Sequence, residues 1–339
     1  MNRRFFALAA LTLIGCTIQR LQPSRATVVE DHTAHMTVAD LQAPMVMPRS
    51  GAESQGTPGL PASDNAAAAR ISASPRHAEW VKIAWEPGSA DSLMAWIVYP
   101  ATRTKAPVVV VVHEIYGLST WVRSVADQVA AEGFIAIAPD LVSRVRGGPS
   151  TVELPAAEAQ RLIGGVAIPE RNRGVAAAAN FAMMQPSAEQ RYAVIGYCWG
   201  GQTVWGHSVI GGVKGFSAGV AFYGAFPYSN PGTPATATTP AVPEAIIVDS
   251  LAKIKTPVLL LNGSRDARIG AQMPSIDSVM KALKKDYSGT NYEGATHGFL
   301  RQQDDPTAGA NADAGPANVT ATKDAWPKTV AFLKKYLMK

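Results

Sequence analysis

The side chain best suited to chemistry is a cysteine in a glycine-rich turn. Cys198 lies in a segment, residues 196–201, that reads Gly-Tyr-Cys-Trp-Gly-Gly. A short apolar segment typical of a buried strand precedes it, and a segment able to form a helix follows. This order predicts a nucleophile elbow, in which glycines let strand and helix approach and the helix N-terminus favours the attacking thiolate. Taken alone, the motif would also fit a buried cysteine beside a tight turn.

Two residues that could activate the thiol follow in the chain. Asp266 comes after the apolar run 259–261, and His297 comes after a last short strand predicted at about 288–292. Each alone has an ordinary explanation, a turn cap for the aspartate and solvation for the histidine. In α/β-hydrolases, however, nucleophile, acid and histidine follow in this order, each at the end of a strand. The order predicts a triad in which Cys198 attacks an ester or lactone carbonyl, His297 exchanges the proton and Asp266 orients the imidazole.

The loop after the valine run 108–112 is predicted to complete the site. An oxyanion needs two N–H donors, and the candidates are the backbone amides of Trp199 and Ile115. Glu114 stands at the mouth of the predicted sheet, where partial burial would raise its pKa and allow proton exchange with the thiol. The alternative is a structural salt bridge, for example to Arg144.

Two arginines are candidates for binding a substrate carboxylate. Arg144 follows the strand end at 139–141, and Arg301 lies four residues beyond His297, so both could reach the mouth of the sheet. Solvation at the surface is the alternative for each.

The arrangement of apolar segments predicts an α/β fold. Residues 80–85 and 93–99 suggest two antiparallel strands, and apolar strands alternate with helices after them. Strands that are apolar on both faces are typical of a mostly parallel, doubly wound sheet with helices on both faces. The predicted helices lie after Trp199 and at about 121–132, 170–184, 275–285 and 322–336, and long loops are expected at 226–248 and 302–318.

Composition excludes several classes of protein. The 339 residues are 47% hydrophobic and 17% charged, which suits one large domain rather than a fibrous or wholly disordered chain. The net charge of +5 is spread thinly, so no nucleic-acid partner is predicted. His32, His35 and His77 lack further ligands nearby, and no metal site is predicted.

The N-terminal residues predict export. Arg3 and Arg4 precede a short apolar run, as in a signal peptide over residues 1–16. Residues 13–16 resemble a lipobox that would lipidate Cys16, whereas a twin-arginine signal, cleavage near 24–26 and an incidental Cys16 are alternatives. Residues 17–78 are predicted to be a low-complexity tether before a domain at 79–339. A periplasmic or membrane-anchored protein is expected, with membrane contact only through the lipid. Cys198 would then be the one remaining thiol, with no partner for an intramolecular disulfide.

Several motifs together resemble the dienelactone hydrolase (carboxymethylenebutenolidase) family, over about 79–339. The resemblance implies an α/β-hydrolase fold without a large cap, a cysteine nucleophile and no cofactor. It also implies that Glu114 helps to generate the thiolate when substrate binds and that Arg144 and Arg301 bind a dienelactone carboxylate. Tyr116 and Tyr223 lie within the shared motifs and are further candidates for substrate binding. The residues that carry the resemblance are 113–117, 139–141, 196–201, 222–224, Asp266, 296–299 and the C-terminal stretch 325–333.

A small-molecule ester or lactone is therefore the expected substrate. An exported enzyme would not meet the cytoplasmic intermediates of chloroaromatic breakdown, so a general ester or lactone hydrolase is predicted rather than one particular dienelactone. The alternatives are a non-catalytic relative that binds a small molecule or partner, and a cysteine peptidase or acyltransferase using the same triad.

Overall fold

A computed structural model describes most of the chain after residue 55. The described residues are 56–86, 88–102, 104–230, 232–233, 236, 239–240, 244–303 and 314–338. The predicted signal peptide, Cys16, His32 and His35 lie outside them. Within the described part of the chain, no helix combines the length and the apolar character needed to cross a bilayer. Among these residues, no group of three or more His, Cys, Asp and Glu side chains could hold a metal ion.

An eight-stranded sheet forms the centre of the molecule. Its strand order is β1-β2-β4-β3-β5-β6-β9-β10; the pairs β1–β2 and β2–β4 are antiparallel, and the remaining pairs are parallel. A separate two-stranded ribbon, β7–β8, lies in the predicted loop 226–248. The strands are β1 (Ala78–Ala84), β2 (Ser92–Val98), β3 (Ala106–Val112), β4 (Ile135–Pro139), β5 (Ala188–Tyr197), β6 (Phe216–Phe222), β7 (Ser229–Asn230), β8 (Ala245–Ile246), β9 (Val258–Gly263) and β10 (Tyr287–Tyr292).

Helices cover the sheet and bury its central strands. Every residue of β3 and β4 is buried, which explains why these strands are apolar on both faces. The α/β-hydrolase fold predicted from the sequence, with its antiparallel start and mostly parallel sheet, is confirmed. The helices are α1 (Ala67–Ser72), α2 (Thr120–Ala131), α3 (Ala156–Ile163), α4 (Ile168–Met183), α5 (Trp199–Ile210), α6 (Val248–Lys253), α7 (Ala267–Ala282) and α8 (Ala314–Leu337).

Two helices begin earlier in the chain than the sequence predicted. Helix α7 begins at Ala267 rather than near residue 275, because the Asp266 side chain accepts a hydrogen bond from the Ile269 amide and caps it. Pro274 lies inside this helix and masked its first turns in the sequence pattern. Helix α8 begins at Ala314, inside the stretch predicted as a loop, and contains Pro327.

Residues 56–76, named the N-terminal segment below, pack against the domain. The tether predicted for residues 17–78 is therefore wrong for this part. Its apolar residues Leu60, Ala62 and Ala67 are buried, and the indole N–H of Trp121 in α2 donates to the Ala62 carbonyl at 3.0 Å. Small alanines allow this close packing without the periodicity that would have revealed it in the sequence.

Candidate active site

Cys198 occupies the strained turn between β5 and α5. Its backbone lies at φ 54° and ψ −114°, a conformation that costs free energy for a residue with a side chain. The amide of Cys198 donates to the carbonyl of Phe222 in β6 at 3.0 Å, which ties the turn to the neighbouring strand. The thiol is buried beneath the surface of the site. The predicted nucleophile elbow is present in the structure.

Close backbone packing explains the glycines around the cysteine. A Cβ atom at Gly196 would lie 2.1 Å from the carbonyl oxygen of Gly200. A Cβ at Gly200 would lie 2.4 Å from the carbonyl oxygen of Val112 in β3. Real Cβ atoms do not approach backbone oxygens this closely, so any other residue at either position would displace the turn.

Asp266 and His297 form a buried pair beside Cys198. Asp266 follows β9, His297 follows β10, and Nδ1 of His297 lies 2.5 Å from Oδ2 of Asp266. The same aspartate caps α7 with its other carboxylate oxygen, Oδ1. Asp266 therefore makes both of the contacts considered for it, the cap of a helix and the hydrogen bond with the imidazole. Because Nδ1 faces Asp266, Nε2 lies on the opposite side of the imidazole ring.

The electrostatics of the pair favour a charged imidazole. Burial lowers the pKa of His297, but the charges of Cys198 and Asp266 and their interactions with the ring outweigh burial and raise the pKa well above its usual range. The raised pKa holds a proton on the ring at a pH at which a solvated histidine is neutral.

The loop after β3 is held by His113. The His113 ring lies with Nδ1 2.7 Å from the carbonyl oxygen of Glu114, and Nε2 accepts a hydrogen bond from the Leu141 amide at 3.2 Å. Nδ1 therefore carries the hydrogen, and burial lowers the pKa of His113, which favours this neutral form. The ring also stacks on Trp199, with centroids 5.1 Å apart. These contacts fix the backbone around Ile115 next to the start of α5, where the two predicted oxyanion donors lie.

Two cavities meet at Cys198 and His297. The apolar cavity comprises about 280 Å³ of space between atoms, part of it open to solvent, and is lined by Ile115, Cys198, Trp199, Gln202, Tyr223, Ala225, Ile269 and His297. The polar cavity comprises about 250 Å³ of space between atoms, part of it open to solvent, and is lined by Glu114, Ile115, Tyr116, Cys198, His297, Gly298, Arg301 and Gln302. The structure thus brings nine of the ten predicted site residues together around the thiol, with Asp266 behind His297.

Glu114 and Arg301 form an ion pair in the polar cavity. Nε of Arg301 lies 2.9 Å from Oε2 of Glu114, and both side chains are largely buried. Burial raises the pKa of Glu114, and the charges of Arg301 and His297 only partly offset it. The salt bridge considered for Glu114 therefore exists, but its partner is Arg301 and not Arg144.

Arg144 lies outside the site, contrary to the prediction. Its guanidinium stacks on Trp85, 4.4 Å from the ring centroid, and binds Asp91 at 2.7 Å and Glu170 at 2.8 Å. Among the described residues, the walls of the two cavities do not include Arg144. Two carboxylates and an aromatic face hold this arginine away from the thiol.

The two predicted tyrosines face different groups. The Tyr223 ring lies 5.0 Å from the His297 ring, and its backbone is at φ 37°, directly after β6. The Tyr116 ring packs against Arg301, with the guanidinium carbon 4.9 Å from its centroid. Burial raises the pKa of Tyr116 to about 12, so its hydroxyl is neutral at physiological pH.

Comparison with known proteins identifies the family of this chain. The profile of the Dienelactone hydrolase family matches residues 93–337. The chain belongs to the dienelactone hydrolase family. A relative from Escherichia coli (strain K12), named "Putative carboxymethylenebutenolidase", is 26% identical over 259 residues, which cover 74% of this chain and 85% of the relative. A Bradyrhizobium protein, named "Probable 2-oxo-3-(5-oxofuran-2-ylidene)propanoate lactonase", is 24% identical, over 76% of this chain and 94% of its own.

Solved structures of dienelactone hydrolases share the fold. A structure titled as a putative dienelactone hydrolase from Klebsiella pneumoniae has a TM-score of 0.56 at 23% identity and covers 77% of this chain and 100% of its own. A dienelactone hydrolase-like promiscuous phosphotriesterase from metagenomic libraries has a TM-score of 0.57 at 23% identity, over 77% of this chain and 99% of its own. Membership of the family identifies this protein as a hydrolase acting on ester or lactone bonds.

This dienelactone hydrolase relative also contains site residues that the sequence did not reveal. Gln202, Ala225 and Ile269 line the apolar cavity, and Gln302 lines the polar one. The buried Arg171 donates to Oε1 of Gln202 at 2.7 Å and so fixes that amide. The spacing of Gln202, four residues after Cys198 on α5, could have indicated a residue facing the same side of the helix.

Proposed function

We propose that this protein cleaves carboxylic esters or lactones through a thioester acyl-enzyme on Cys198. The observation that carries the proposal is the hydrogen-bonded Asp266–His297 pair beside a thiol on a strained elbow. A cysteine with only a structural role would have no need of a buried imidazole whose pKa is raised by that thiol and by Asp266. The two sides of an ester are proposed to lie along the apolar and the polar cavity, which meet at this thiol.

Acylation transfers one proton and breaks one bond. The proton of the Cys198 thiol passes to Nε2 of His297, where the raised pKa of the imidazole holds it, and the thiolate sulfur then attacks the carbonyl carbon. The oxyanion is stabilised by the backbone N–H groups of Ile115 and Trp199. Collapse of this intermediate breaks the C–O bond, and the leaving oxygen takes the proton from His297. The products of this half-reaction are an alcohol, or the free hydroxyl of an opened lactone, and a thioester.

Deacylation uses water in place of the thiol. His297 takes a proton from water as it attacks the thioester carbonyl, and the second tetrahedral intermediate releases the carboxylic acid and returns the proton to sulfur. Asp266 holds the imidazole orientation and stabilises its charged form in both halves. Glu114, in the polar cavity with the thiol, is proposed to assist thiolate formation when substrate binds.

Hydrolysis of short p-nitrophenyl esters by wild type, Cys198→Ala and Cys198→Ser tests the proposal. We expect both variants to lose turnover by a factor on the order of 10⁵. Alanine has no nucleophilic atom, and the hydroxyl of serine is far less acidic than the thiol and does not ionise beside His297. Mass spectrometry of quenched wild type should show an acyl group on the peptide containing Cys198. Retained turnover in folded Cys198→Ala, or an acyl group on another residue, would overturn the thioester mechanism.

Export remains a separate proposal about the N-terminal residues. The apolar run after Arg3 and Arg4, followed by Cys16, supports processing as a lipoprotein. Metabolic labelling with a fatty acid should mark the wild-type protein in a bacterial host and fail to mark Cys16→Ser. Labelling of both forms would contradict lipidation at Cys16.

A further inference from the structure

We propose that Asp64, in the N-terminal segment, neutralises Arg301 and thereby restricts this enzyme to uncharged esters and lactones. The inference rests on the proposed hydrolase function and names the substrate class of that site. Asp64 is a positioning residue here, since it acts on substrate choice through Arg301.

Two contacts bring Asp64 to the wall of the polar cavity. Its side-chain oxygen Oδ2 accepts a hydrogen bond from NH1 of Arg301 at 3.2 Å, and its backbone amide donates to the Arg301 carbonyl at 2.9 Å. The backbone contact fixes the position of the residue, and the carboxylate then faces the guanidinium. Asp64 also begins a short 3-10 turn that continues directly into α1, so its place is set by the packing of the whole segment.

Two carboxylates oppose the charge of Arg301: that of Glu114, which is 5% exposed, and that of Asp64, which is 41% exposed. One guanidinium faces the carboxylates of Glu114 and Asp64. With both ionised, the cluster is negative; with Glu114 protonated, Asp64 alone still balances the arginine. Arg301 is the one lysine or arginine among the described residues that line the polar cavity. Without Asp64, protonation of Glu114 would leave a positive pocket suited to a carboxylate.

The other arginine predicted to bind a carboxylate is blocked in the same way. Arg144 is held by Asp91 and Glu170 and lies outside both cavities. Each of the two arginines predicted to bind a substrate carboxylate is therefore paired with two acidic side chains. An anionic substrate would have to displace a carboxylate or enter against one, and both cost free energy.

A pair of substrates that differ in charge tests the proposal. The neutral ester is p-nitrophenyl butyrate, and the anionic ester is mono-p-nitrophenyl succinate. We expect wild type to prefer the neutral ester in kcat/KM, and Asp64→Asn to raise the anionic-to-neutral ratio about tenfold, the size expected for one charge at a partly solvated position. The gain should shrink as salt is added.

Matched variants separate this charge effect from other changes. Asp91→Asn makes the same change of charge beside Arg144. Arg70→Gln removes a side chain that donates to the Leu60 carbonyl within the N-terminal segment and to Gln128 in α2. We expect neither to alter the ratio more than about twofold. In an Arg301→Gln background, Asp64→Asn should lose its effect, as expected when two residues act as a unit. Asp64→Ser provides a second uncharged variant if Asp64→Asn folds poorly.

A second readout does not depend on turnover. Iodoacetate and iodoacetamide are nearly equal in size but differ in charge, and alkylation of Cys198 by each is followed by mass spectrometry of its peptide. Asp64→Asn should raise the iodoacetate-to-iodoacetamide rate ratio several-fold, with glutathione as the reference thiol. If neither ester is hydrolysed, the proposed function fails, and this ratio still decides the role of Asp64. An unchanged ratio in Asp64→Asn, or an equal rise in Asp91→Asn or Arg70→Gln, would overturn the inference.

Discussion

The two cavities that meet at Cys198 share one wall and differ in the other. Ile115, Cys198 and His297 contribute to both. Beyond them, the apolar cavity is closed by side chains such as Ala225 and Ile269, whereas the polar cavity contains an ion pair. In the proposed mechanism, the residues shared by both cavities break the ester bond, and the residues that differ select the two sides of the substrate. Substitutions in the part of either cavity that is not shared should therefore change substrate choice without abolishing hydrolysis.

The regions also differ in the partners of their lining residues. The residues that line either cavity all lie within the family match, 93–337. The polar cavity includes Arg301, whose partner Asp64 lies before that match and 237 positions away in the chain. A segment that precedes the family match thus contacts a residue within it. Such additions can alter substrate choice while the catalytic residues stay in place.

Asp266→Asn tests the wall shared by both cavities, where a substitution should lower kcat more than a substitution in either cavity alone. An asparagine keeps the size of the side chain but removes the charge and can stabilise the wrong imidazole tautomer. We expect kcat to fall by about 10²- to 10⁴-fold for esters of any acyl length and either charge. A fall confined to one class of ester would contradict a role shared by both cavities.

The same variant should change the titration of His297. Since the pKa of His297 is raised, its imidazolium persists above the ordinary pH range and is lost as pH rises through the folded-state value. Asp266→Asn removes two of the influences that raise this pKa, so loss of the charge should move to lower pH. NMR titration of the imidazole measures the midpoint, with the resonance assigned by its absence from His297→Gln. An unchanged midpoint would show that Asp266 does not tune the ring.

The sequence predicted the parts of the fold that depend on local patterns. The valines of β3 are apolar on both faces because helices cover both faces, and that burial is visible in the sequence. The order Cys198, Asp266, His297 predicted which strands carry the site, and the structure brings the three together at the carboxyl ends of β5, β9 and β10. Parallel strands share that edge, so chain order was enough.

Contacts between distant charged side chains could not be predicted in this way. Arg144 and Arg301 both follow strand ends, and nothing in their spacing shows that Asp91 or Asp64 would reach them. The N-terminal segment has small residues and no regular period, so its sequence contains no pattern from which its packing on α2 could be predicted. Pairing of long side chains depends on tertiary distances, whereas strands and elbows depend on neighbouring residues.

Ala225→Leu tests the apolar cavity alone. The added side-chain carbons would extend into the cavity from its wall, so we expect kcat/KM for octanoyl esters to fall about tenfold or more while acetyl esters change little. The measurement is an acyl-length series with p-nitrophenyl esters. Ala177→Leu, a partly buried site in α4 away from the cavity walls, serves as a packing control. An equal loss at every acyl length would show that the acyl group does not lie in the apolar cavity.

Glu114→Gln tests the polar cavity and should have the smallest effect on turnover. Glutamine keeps a hydrogen-bond acceptor for Arg301 but removes the charge from a buried ion pair, so the free energy of unfolding should fall by about 1 to 3 kcal/mol. If the carboxylate also assists thiolate formation, kcat should fall about tenfold for neutral esters at every acyl length. Denaturant unfolding and steady-state kinetics on the same preparation separate the two roles. A less stable protein with unaltered turnover would make Glu114 a structural partner of Arg301 only. Lost turnover at full stability would instead assign the ion pair to catalysis alone.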